Sequence, residues 1–284
     1  MTIGEKIKWM RSDRNMSQNE LADALGVSRQ AITKWETDSG VPEIDNLVAI
    51  AKLFGTTVDA LVTDEASCYS SFIQYDIDGG KDFEIGTVPA KTIDIHGLDS
   101  EKIRVEVHSD SISKLDSDIK FRIEEKKKRL CLEIGRRNDL TDTVCRNDLK
   151  ISIGLPKKYI GEIELKAEVG TLALCGFTTK NVEFDGAAKE IVLDDIHGQA
   201  GMNLHSDTRF MVKNLDGRLD VNIWEQFCTV EIPRSVVFKA VNDGRKCELI
   251  VAENLSRSDT SEDVIELNGM KSTLSIVAMD PEGI

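Results

Sequence analysis

The hydrophobic pattern of the chain changes its period near residue 65. From Ile3 onward apolar residues recur every three or four positions, which is the stripe of an amphipathic helix. After Phe72 alternation with period two dominates, which is typical of half-buried strands. Because one type of element cannot satisfy both periods, the sequence predicts two domains. A helical domain over residues 1–65 is joined by a small polar linker over 66–71 to an all-β domain over 72–284.

Helix-capping residues divide the first domain into five predicted helices. Ser17 begins the second helix through a capping box with Glu20, and Gly26 follows its last residue, where positive φ is favoured. Ser28 caps the third helix. The predicted spans are residues 3–15, 18–25, 29–36, 44–54 and 58–62. Since only Gly26, Val27 and Ser28 separate the second helix from the third, the pair forms a helix-turn-helix unit.

The motifs of this domain occur together at the spacings of one regulator family. They are listed here as they stand in the sequence: Ser17-Gln18-Asn19-Glu20-Leu21-Ala22, Leu25-Gly26-Val27-Ser28, Ile32-Thr33-Lys34-Trp35-Glu36, Pro42, Leu47, Ile50-Ala51 and Val58-Asp59-Ala60-Leu61. In these motifs the chain resembles the Cro/λ-repressor (XRE-like) family of transcription regulators. The resemblance implies a five-helix λ-repressor-like bundle. One departure is Asp38, where the family often places Gly, and Asp tolerates the left-handed conformation better than most residues.

The resemblance also implies which residues bind DNA. The third helix enters the major groove of an operator, with Arg29, Gln30 and Thr33 facing base edges. Lys34 contacts phosphate or a base edge. The full predicted set of DNA-binding residues is Ser17, Gln18, Ser28, Arg29, Gln30, Thr33 and Lys34, with Gln18 and Ser28 expected at phosphates. The alternative for Arg29, Gln30 and Thr33 is an ordinary solvated helix face.

Two neighbouring residues at the end of the third helix have other expected roles. Trp35 is expected to pack at the edge of the core, with contact to the DNA backbone as its alternative. Glu36 is expected to hold local structure, because a carboxylate is repelled by phosphate.

The net charge of the chain argues against this interpretation when it is taken alone. The sequence contains 36 basic and 50 acidic side chains, a formal charge of −14, whereas a DNA duplex attracts cations. Residues 1–65 carry a net charge of −4, and the remaining residues carry −10. DNA binding must therefore depend on where a few cations lie, and it should be modest per monomer and sensitive to salt.

Four alternating runs predict strands at the start of the second domain. They lie at residues 92–96, 103–107, 119–123 and 130–134, and the last two are joined by an exposed charged hairpin end. Lys126–Arg129 together with Arg136 and Arg137 could form a second nucleic-acid patch, but a charged hairpin tip is the commoner explanation.

Strand signals become regular after residue 150. Apolar pairs centre near residues 164, 173, 183, 192, 203, 211, 221 and 231, so two successive strands span 18 to 20 residues. Turn glycines precede the strands at Gly170, Gly186, Gly198, Gly217, Gly244 and Gly269. This spacing predicts a solenoid-like repeat of short β-strands, although a β-sandwich fits the spacing as well. By pattern more than by identity, the segment resembles the toastrack-type, or adhesin-like, repeat domain.

Catalytic and metal-binding motifs are missing from the sequence. No nucleophile elbow, P-loop, GxGxxG or HExxH occurs, so we expect no enzyme and no cofactor. Asp194, Asp195, His197 and His205 could suggest a metal site, but the spacing of the two histidines matches no common ligand pattern. We expect these four residues to be solvated turn residues.

The cysteines and the N-terminus indicate a compartment. The six cysteines are dispersed, and the two nearest in sequence are 14 residues apart, so they form no CxxC pair. We expect reduced thiols that fill the core, with redox sensing as the alternative. Neither a signal peptide nor a membrane span is evident, so the predicted compartment is the cytoplasm.

Two hypotheses about function follow. In the first, the chain is a sequence-specific regulator that binds a double-stranded operator, while its β domain forms a homodimer or higher homo-oligomer and senses a protein or small-molecule effector. In the second, the β domain recruits a partner and DNA only localises the protein. An enzyme with a DNA-binding accessory is a third class, which the missing catalytic motifs disfavour.

Overall fold

The structure is a computed structural model that divides into two compact units, Met1–Tyr69 and Ser70–Ile284. It describes residues 2–14, 16–54, 58, 61, 69–112, 114–137 and 140–279. In the described part of the chain, no helix is both long and apolar enough to cross a membrane.

Four helices of the first unit lie where the capping pattern predicts them. They are α1 (Ile3–Asp13), α2 (Gln18–Leu25), α3 (Arg29–Glu36) and α4 (Ile44–Phe54). The α1 helix ends two residues before the predicted limit, with Arg14 as its C-cap. The predicted fifth helix lies mostly outside the described residues. Gly26 has φ +68° and Asp38 has φ +53°, so both adopt the left-handed conformation that the sequence assigns to them.

The helical core draws one or more side chains from each of these helices. Ile7, Leu21, Ile32 and Ile50 are fully buried. Trp35 is also buried, as its packing role requires.

Glycine is needed at position 4, where α1 crosses the end of α3. A Cβ atom on Gly4 would lie 2.0 Å from the Trp35 carbonyl oxygen. Only a residue without a side chain allows this approach, and the sequence pattern gives no sign of it.

The second unit contains sixteen strands in its described residues. They are β1 (Tyr69–Asp76), β2 (Lys81–Thr87), β3 (Ala90–Leu98), β4 (Lys102–Ser109), β5 (Ile119–Glu125), β6 (Arg129–Arg136), β7 (Lys150–Pro156), β8 (Ile160–Leu204), β9 (Arg209–Val212), β10 (Asp216–Trp224), β11 (Phe227–Ile232), β12 (Val237–Asn242), β13 (Glu248–Val251), β14 (Ser256–Arg257), β15 (Val264–Met270) and β16 (Thr273–Ala278). The four strands predicted before residue 150 fall within β3, β4, β5 and β6. The β5–β6 hairpin is antiparallel, as predicted.

These strands form a parallel β-solenoid with two stacks. One stack runs β5-β6-β2-β8-β10-β15-β12-β14, and the other runs β1-β4-β7-β3-β8-β9-β11-β16-β13. The long β8 belongs to both because it winds around the solenoid. Gly198 pairs with Gly217 and Ile191 pairs with Phe210, so each residue lies beside the residue 19 positions later. Parallel pairing at this offset confirms the predicted repeat and excludes an antiparallel sandwich for this region.

Glycines lie at a solenoid corner where successive windings approach closely. Gly198 and Gly217 both have φ +129°, a conformation that L side chains rarely adopt. A Cβ on Gly198 would lie 2.0 Å from the Thr179 carbonyl oxygen of the previous winding. Five of the predicted turn glycines lie inside strands and not before them: Gly170, Gly186 and Gly198 in β8, Gly217 in β10 and Gly269 in β15. Only Gly244 lies between strands, after β12 and before β13.

Two further features differ from the sequence predictions. The linker prediction is wrong for residues 69–71, because Tyr69 begins β1, which pairs with β4, and Ser71 is buried. Residues 66–68 of that linker lie outside the described part. The second unit is also not purely β, since it contains α5 (Leu115–Asp118) and α6 (Asp142–Asp148). Both helices are too short to show a helical period, although Thr141 caps α6 by accepting the Val144 N–H at 3.4 Å.

The last two windings are not in chain order. The β15 strand pairs with both β10 and β12, so residues 264–270 lie between strands that precede them in the sequence. In the same way β16 lies between β11 and β13. A repeat along the chain cannot show this insertion, because the pattern inside one strand does not specify its neighbour.

Candidate nucleic-acid interface

The α2 and α3 helices present one polar face to solvent. Arg29, Gln30, Thr33 and Lys34 are all exposed on α3, whereas Ile32, Trp35 and Glu36 on the same helix are buried. This division separates the four polar side chains from the core. The face therefore offers two cations, an amide and a hydroxyl, and no carboxylate of α3 is exposed beside them.

The first turns of both helices are capped by serine. The Ser28 Oγ accepts the Ala31 N–H at 3.2 Å, and the Ser17 Oγ accepts the Glu20 N–H at 3.2 Å. The Glu20 carboxylate completes the capping box by accepting the Ser17 N–H at 2.6 Å. Both serines are exposed, so they lie where a phosphate could reach them, and capping is the role that the geometry shows.

The Gln18 side chain joins α2 to α3. Its Nε2 donates to the Glu36 carboxylate at 2.8 Å, and its Oε1 accepts the Thr33 hydroxyl at 3.1 Å. Gln18 is half-buried. Sequence reasoning expected this residue at a phosphate, but the structure engages its side chain inside the protein, where it holds Thr33 on the exposed face.

Arg11 is the functional residue that sequence reasoning missed. Its Nε lies 2.5 Å from one Glu36 oxygen, and its Nη2 donates to the other at 2.9 Å. A third bond runs from its Nη1 to the Met16 carbonyl at 2.7 Å. The bidentate pair ties α1 to the end of α3 and supports the expected structural role of Glu36. One signal in the sequence was that Glu36 follows a tryptophan expected in the core, because a carboxylate buried there needs a cation as its partner.

Opposing effects act on the Glu36 carboxyl. Burial raises the pKa of Glu36, but the hydrogen bonds from Arg11 and Gln18 outweigh burial and hold the pKa below its ordinary value of 4.5. The charged form is therefore the one that the folded unit stabilises. One network of four side chains, Arg11, Gln18, Thr33 and Glu36, thus orients the exposed face of α3.

The suggested metal ligands do not meet at one point. His197 bonds Asp216 and lies 3.2 Å from Asp195, while His205 instead pairs with Asp185 at 3.0 Å. Asp194 pairs with Lys213 at 2.8 Å. Hydrogen bonding to Asp216 raises the pKa of His197. Within the residues that the structure describes, no group of three or more His, Cys, Asp or Glu side chains is arranged to hold a metal ion.

Cations near the hairpin tip are partly neutralised. Arg129 lies 3.4 Å from Glu84 and Arg136 lies 2.5 Å from Asp142. This pairing favours a charged hairpin tip over a second nucleic-acid patch.

The described cysteines are free thiols, and two of them, Cys145 and Cys228, are fully buried. For Cys228 the effect of burial is large. Burial raises its pKa to about 11. Since the thiolate is the reactive form, this cysteine fits a core role. Cys68 lies outside the described residues.

Comparison with known proteins places the helical unit in a family. The family model described as "Helix-turn-helix" matches residues 7–61. An uncharacterized HTH-type transcriptional regulator of Methanocaldococcus jannaschii is 39% identical over 54 residues, which are 19% of this chain and 82% of that protein. The chain belongs to the helix-turn-helix family of transcriptional regulators.

Other relatives of this helix-turn-helix protein share only part of their length with it. The HTH-type transcriptional activator BcrR of Enterococcus faecalis is 42% identical over 65 residues, 23% of this chain and 32% of that protein. The chain spans between 32% and 65% of the length of BcrR and the next two curated relatives. For the β unit, the crystal structure of a candidate cell adhesion protein from Clostridium sporogenes is similar, with 17% identity and a TM-score of 0.41. The aligned region covers 75% of this chain and all of the Clostridium sporogenes chain.

Proposed function

We propose that this protein is a sequence-specific, double-stranded-DNA-binding transcription regulator that reads the major groove with α3. The observation that carries the proposal is the exposed face of Arg29, Gln30, Thr33 and Lys34 on the second helix of a helix-turn-helix. An α-helix fits the major groove, where each base pair shows a distinct pattern of donors and acceptors. The protein's family membership supports the same function.

Individual roles follow from side-chain chemistry. Arg29 donates to guanine O6 and N7, and Gln30 brackets adenine N6 and N7. Lys34 contacts phosphate, and the serine-capped first turns of α2 and α3 approach the backbone with their amides. Gln18 acts mainly by positioning, since its amide holds Thr33 and Glu36.

The β domain makes the protein a homodimer or higher homo-oligomer in this proposal. Helix-turn-helix proteins bind two half-sites about one helical turn apart, so two copies of α3 are needed. The acidic net charge of −14 supports this need. Because the non-specific attraction of the protein to DNA is weak, the choice of site depends on two copies of α3 binding together. The protein acts in the cytoplasm, carries out no catalysis and needs no cofactor.

Base substitution in a selected operator tests whether α3 recognises bases. Sites are first selected from random duplexes with the full-length protein, and affinities are then measured on every single-base variant of the best site. Arg29→Ala and Gln30→Ala should each cost about 1–3 kcal/mol on the best site and relax preference at one base position.

Lys34→Ala is the matched control on the same helix. It should weaken binding to all sequences by a similar factor and lower the dependence of affinity on salt, because a phosphate contact carries no sequence information. Equal losses on all sequences for Arg29→Ala and Gln30→Ala would contradict base reading by α3.

The second hypothesis, a DNA-tethered module whose β domain recruits a partner, gives a different result in the same assay. In that case affinity for one isolated half-site would equal the affinity for the full operator, since the β domain would add nothing to DNA binding. A regulator that pairs its readers should instead prefer the full operator strongly.

A further inference from the structure

The two ends of the solenoid are built differently. At the end that contains β6 and β7, the antiparallel strands β4 and β5 cover the windings, and Val105 and Ile119 are buried there. The opposite end is the winding of β12 and β13, where the two-residue β14 covers only the start of β12. In this winding the inward-facing Leu249 and Val251 are only half-buried. Their partners on β16, Leu274 and Ile276, are fully buried.

The β13 strand also has an unpaired edge. Among the residues that the structure describes, only β16 pairs with it. Ile250 points outward from β13 and is 44% exposed. Such edges normally carry charges, proline or bulges that prevent pairing, as β5 does with Lys120, Arg122 and Glu124. The β13 strand carries a single charge, at Glu248, and no proline.

We infer that this end of the solenoid binds a second copy of the same chain, with β13 pairing antiparallel to β13 of that copy about a two-fold axis at Ile250. The inference rests on the proposed function, which requires two readers, and it names the surface that supplies them.

The sequence of β13 is self-complementary in this arrangement. Ile250 then faces Ile250 of the second copy, and Leu249 faces Val251. Directly opposite residues share one face of an antiparallel pair, so the inward-facing Leu249 of one copy meets the inward-facing Val251 of the other.

Charge favours the same arrangement. Arg245 and Lys246 precede β13, and Glu253 follows it. Asp243 and Glu248 offset Arg245 and Lys246, so antiparallel pairing sets Glu253 of one copy beside an end without net charge. A parallel continuation would instead place like charges side by side, which is destabilising.

Light scattering coupled to size-exclusion chromatography, without DNA, tests the interface with the full chain. The wild-type protein should have twice the monomer mass of 31.5 kDa. Ile250→Lys should be monomeric, because it places two cations opposite each other at the axis. Val237→Lys is the matched control. Val237 is 46% exposed in the same winding, but β14 already pairs with its part of β12, so this variant should stay dimeric.

Disulfide trapping checks the register independently of any loss of folding. In a Cys247→Ser background, Ile250→Cys should cross-link two chains on mild oxidation, whereas Val237→Cys in the same background should not. A monomeric wild type, a dimeric Ile250→Lys variant, a series of higher oligomers or equal cross-linking at both positions would each overturn the inference.

DNA binding separates this inference from the proposed function. Ile250→Lys should bind an isolated half-site like wild type but lose affinity for the full operator on the order of 100-fold. A wild-type protein that is dimeric but has no sequence preference on DNA would refute base recognition by α3 and would leave the β13 interface supported. An unchanged affinity of a monomeric Ile250→Lys for the full operator would refute the role of this interface in operator binding.

Discussion

Glu36 joins three helices through one buried carboxylate. It accepts hydrogen bonds from Arg11 on α1 and from Gln18 on α2, and it belongs to α3 itself. A buried ion pair is weak evidence for net stability, but removal of one partner leaves a charge without compensation. Its specific effect is geometric, because Gln18 in turn lies within hydrogen-bond distance of the Thr33 hydroxyl, whose other acceptor is the Arg29 carbonyl. A chain of hydrogen bonds therefore links the core to the reader.

Breaking this pair should destabilise the helical unit. Arg11→Met should lower the free energy of unfolding of this unit by about 3–5 kcal/mol, since the buried Glu36 charge would lose its cation and keep only the Gln18 hydrogen bond. The double variant Arg11→Met/Glu36→Met should recover most of that loss. Urea unfolding followed by far-UV circular dichroism measures both. Additive losses in the double variant would contradict the coupling.

The pH dependence of the same pair has a definite sign. The folded-state pKa of Glu36 lies below 4.5, so its stabilisation is complete above that value and is lost as the pH falls through the folded pKa. The free energies of unfolding of wild type and Glu36→Gln, measured as a function of pH, should therefore converge at low pH, where the wild-type carboxyl is protonated.

At the scale of elements, solenoid corners limit which residues can follow one another. The windings stack at the spacing of parallel strands, so a corner backbone meets the carbonyl of the previous winding directly. Gly198 illustrates this close approach, because its φ and its contact with the Thr179 carbonyl both exclude a side chain. Elsewhere in the same winding, Gly201 has no atom within 4 Å of an added Cβ.

Alanine at these two glycines should give opposite results. Gly198→Ala should lower the free energy of unfolding of the β unit by at least about 1–3 kcal/mol, because of backbone strain and the carbonyl clash. Gly201→Ala should leave it unchanged or slightly higher, since alanine reduces the entropy of the unfolded chain. Thermal unfolding monitored by the β-sheet signal checks both variants, and similar melting temperatures would refute the close approach at Gly198.

At the scale of the whole molecule, two units with separate cores share one chain. A helical unit of 69 residues buries a smaller fraction of its surface than the larger β unit does, so its stability is more marginal. Two-state unfolding of the whole chain is therefore not expected. An isolated DNA half-site should stabilise only the unit that binds it.

Tryptophan fluorescence can resolve the two transitions. In a Trp224→Phe variant, Trp9 and Trp35 report only on the helical unit. Their transition in urea should precede the loss of the β-sheet signal, and an isolated DNA half-site should shift the fluorescence transition alone. Coincident transitions, or a shift of both by DNA, would show that the units unfold together.

Features that depend on near neighbours in the chain could be predicted from the amino-acid sequence. The capping box at Ser17, the left-handed Gly26 and Asp38, the helix-turn-helix and the winding length near 19 residues all follow from contacts within a few positions or from a repeated period. For this reason the helical spacing of Arg29, Gln30, Thr33 and Lys34 was enough to place them on one exposed face.

Contacts between distant residues are set by the tertiary fold. Three of these contacts join positions far apart in the chain: the Arg11–Glu36 pair, the Gln18–Glu36 hydrogen bond and the insertion of β15 and β16 between earlier strands. The unpaired edge of β13 likewise depends on which strands become its neighbours. Hydrophobic periodicity specifies which face of an element is buried, but many partners can bury the same face. The choice among them depends on packing and on pairing every buried polar group, and both are properties of the assembled fold.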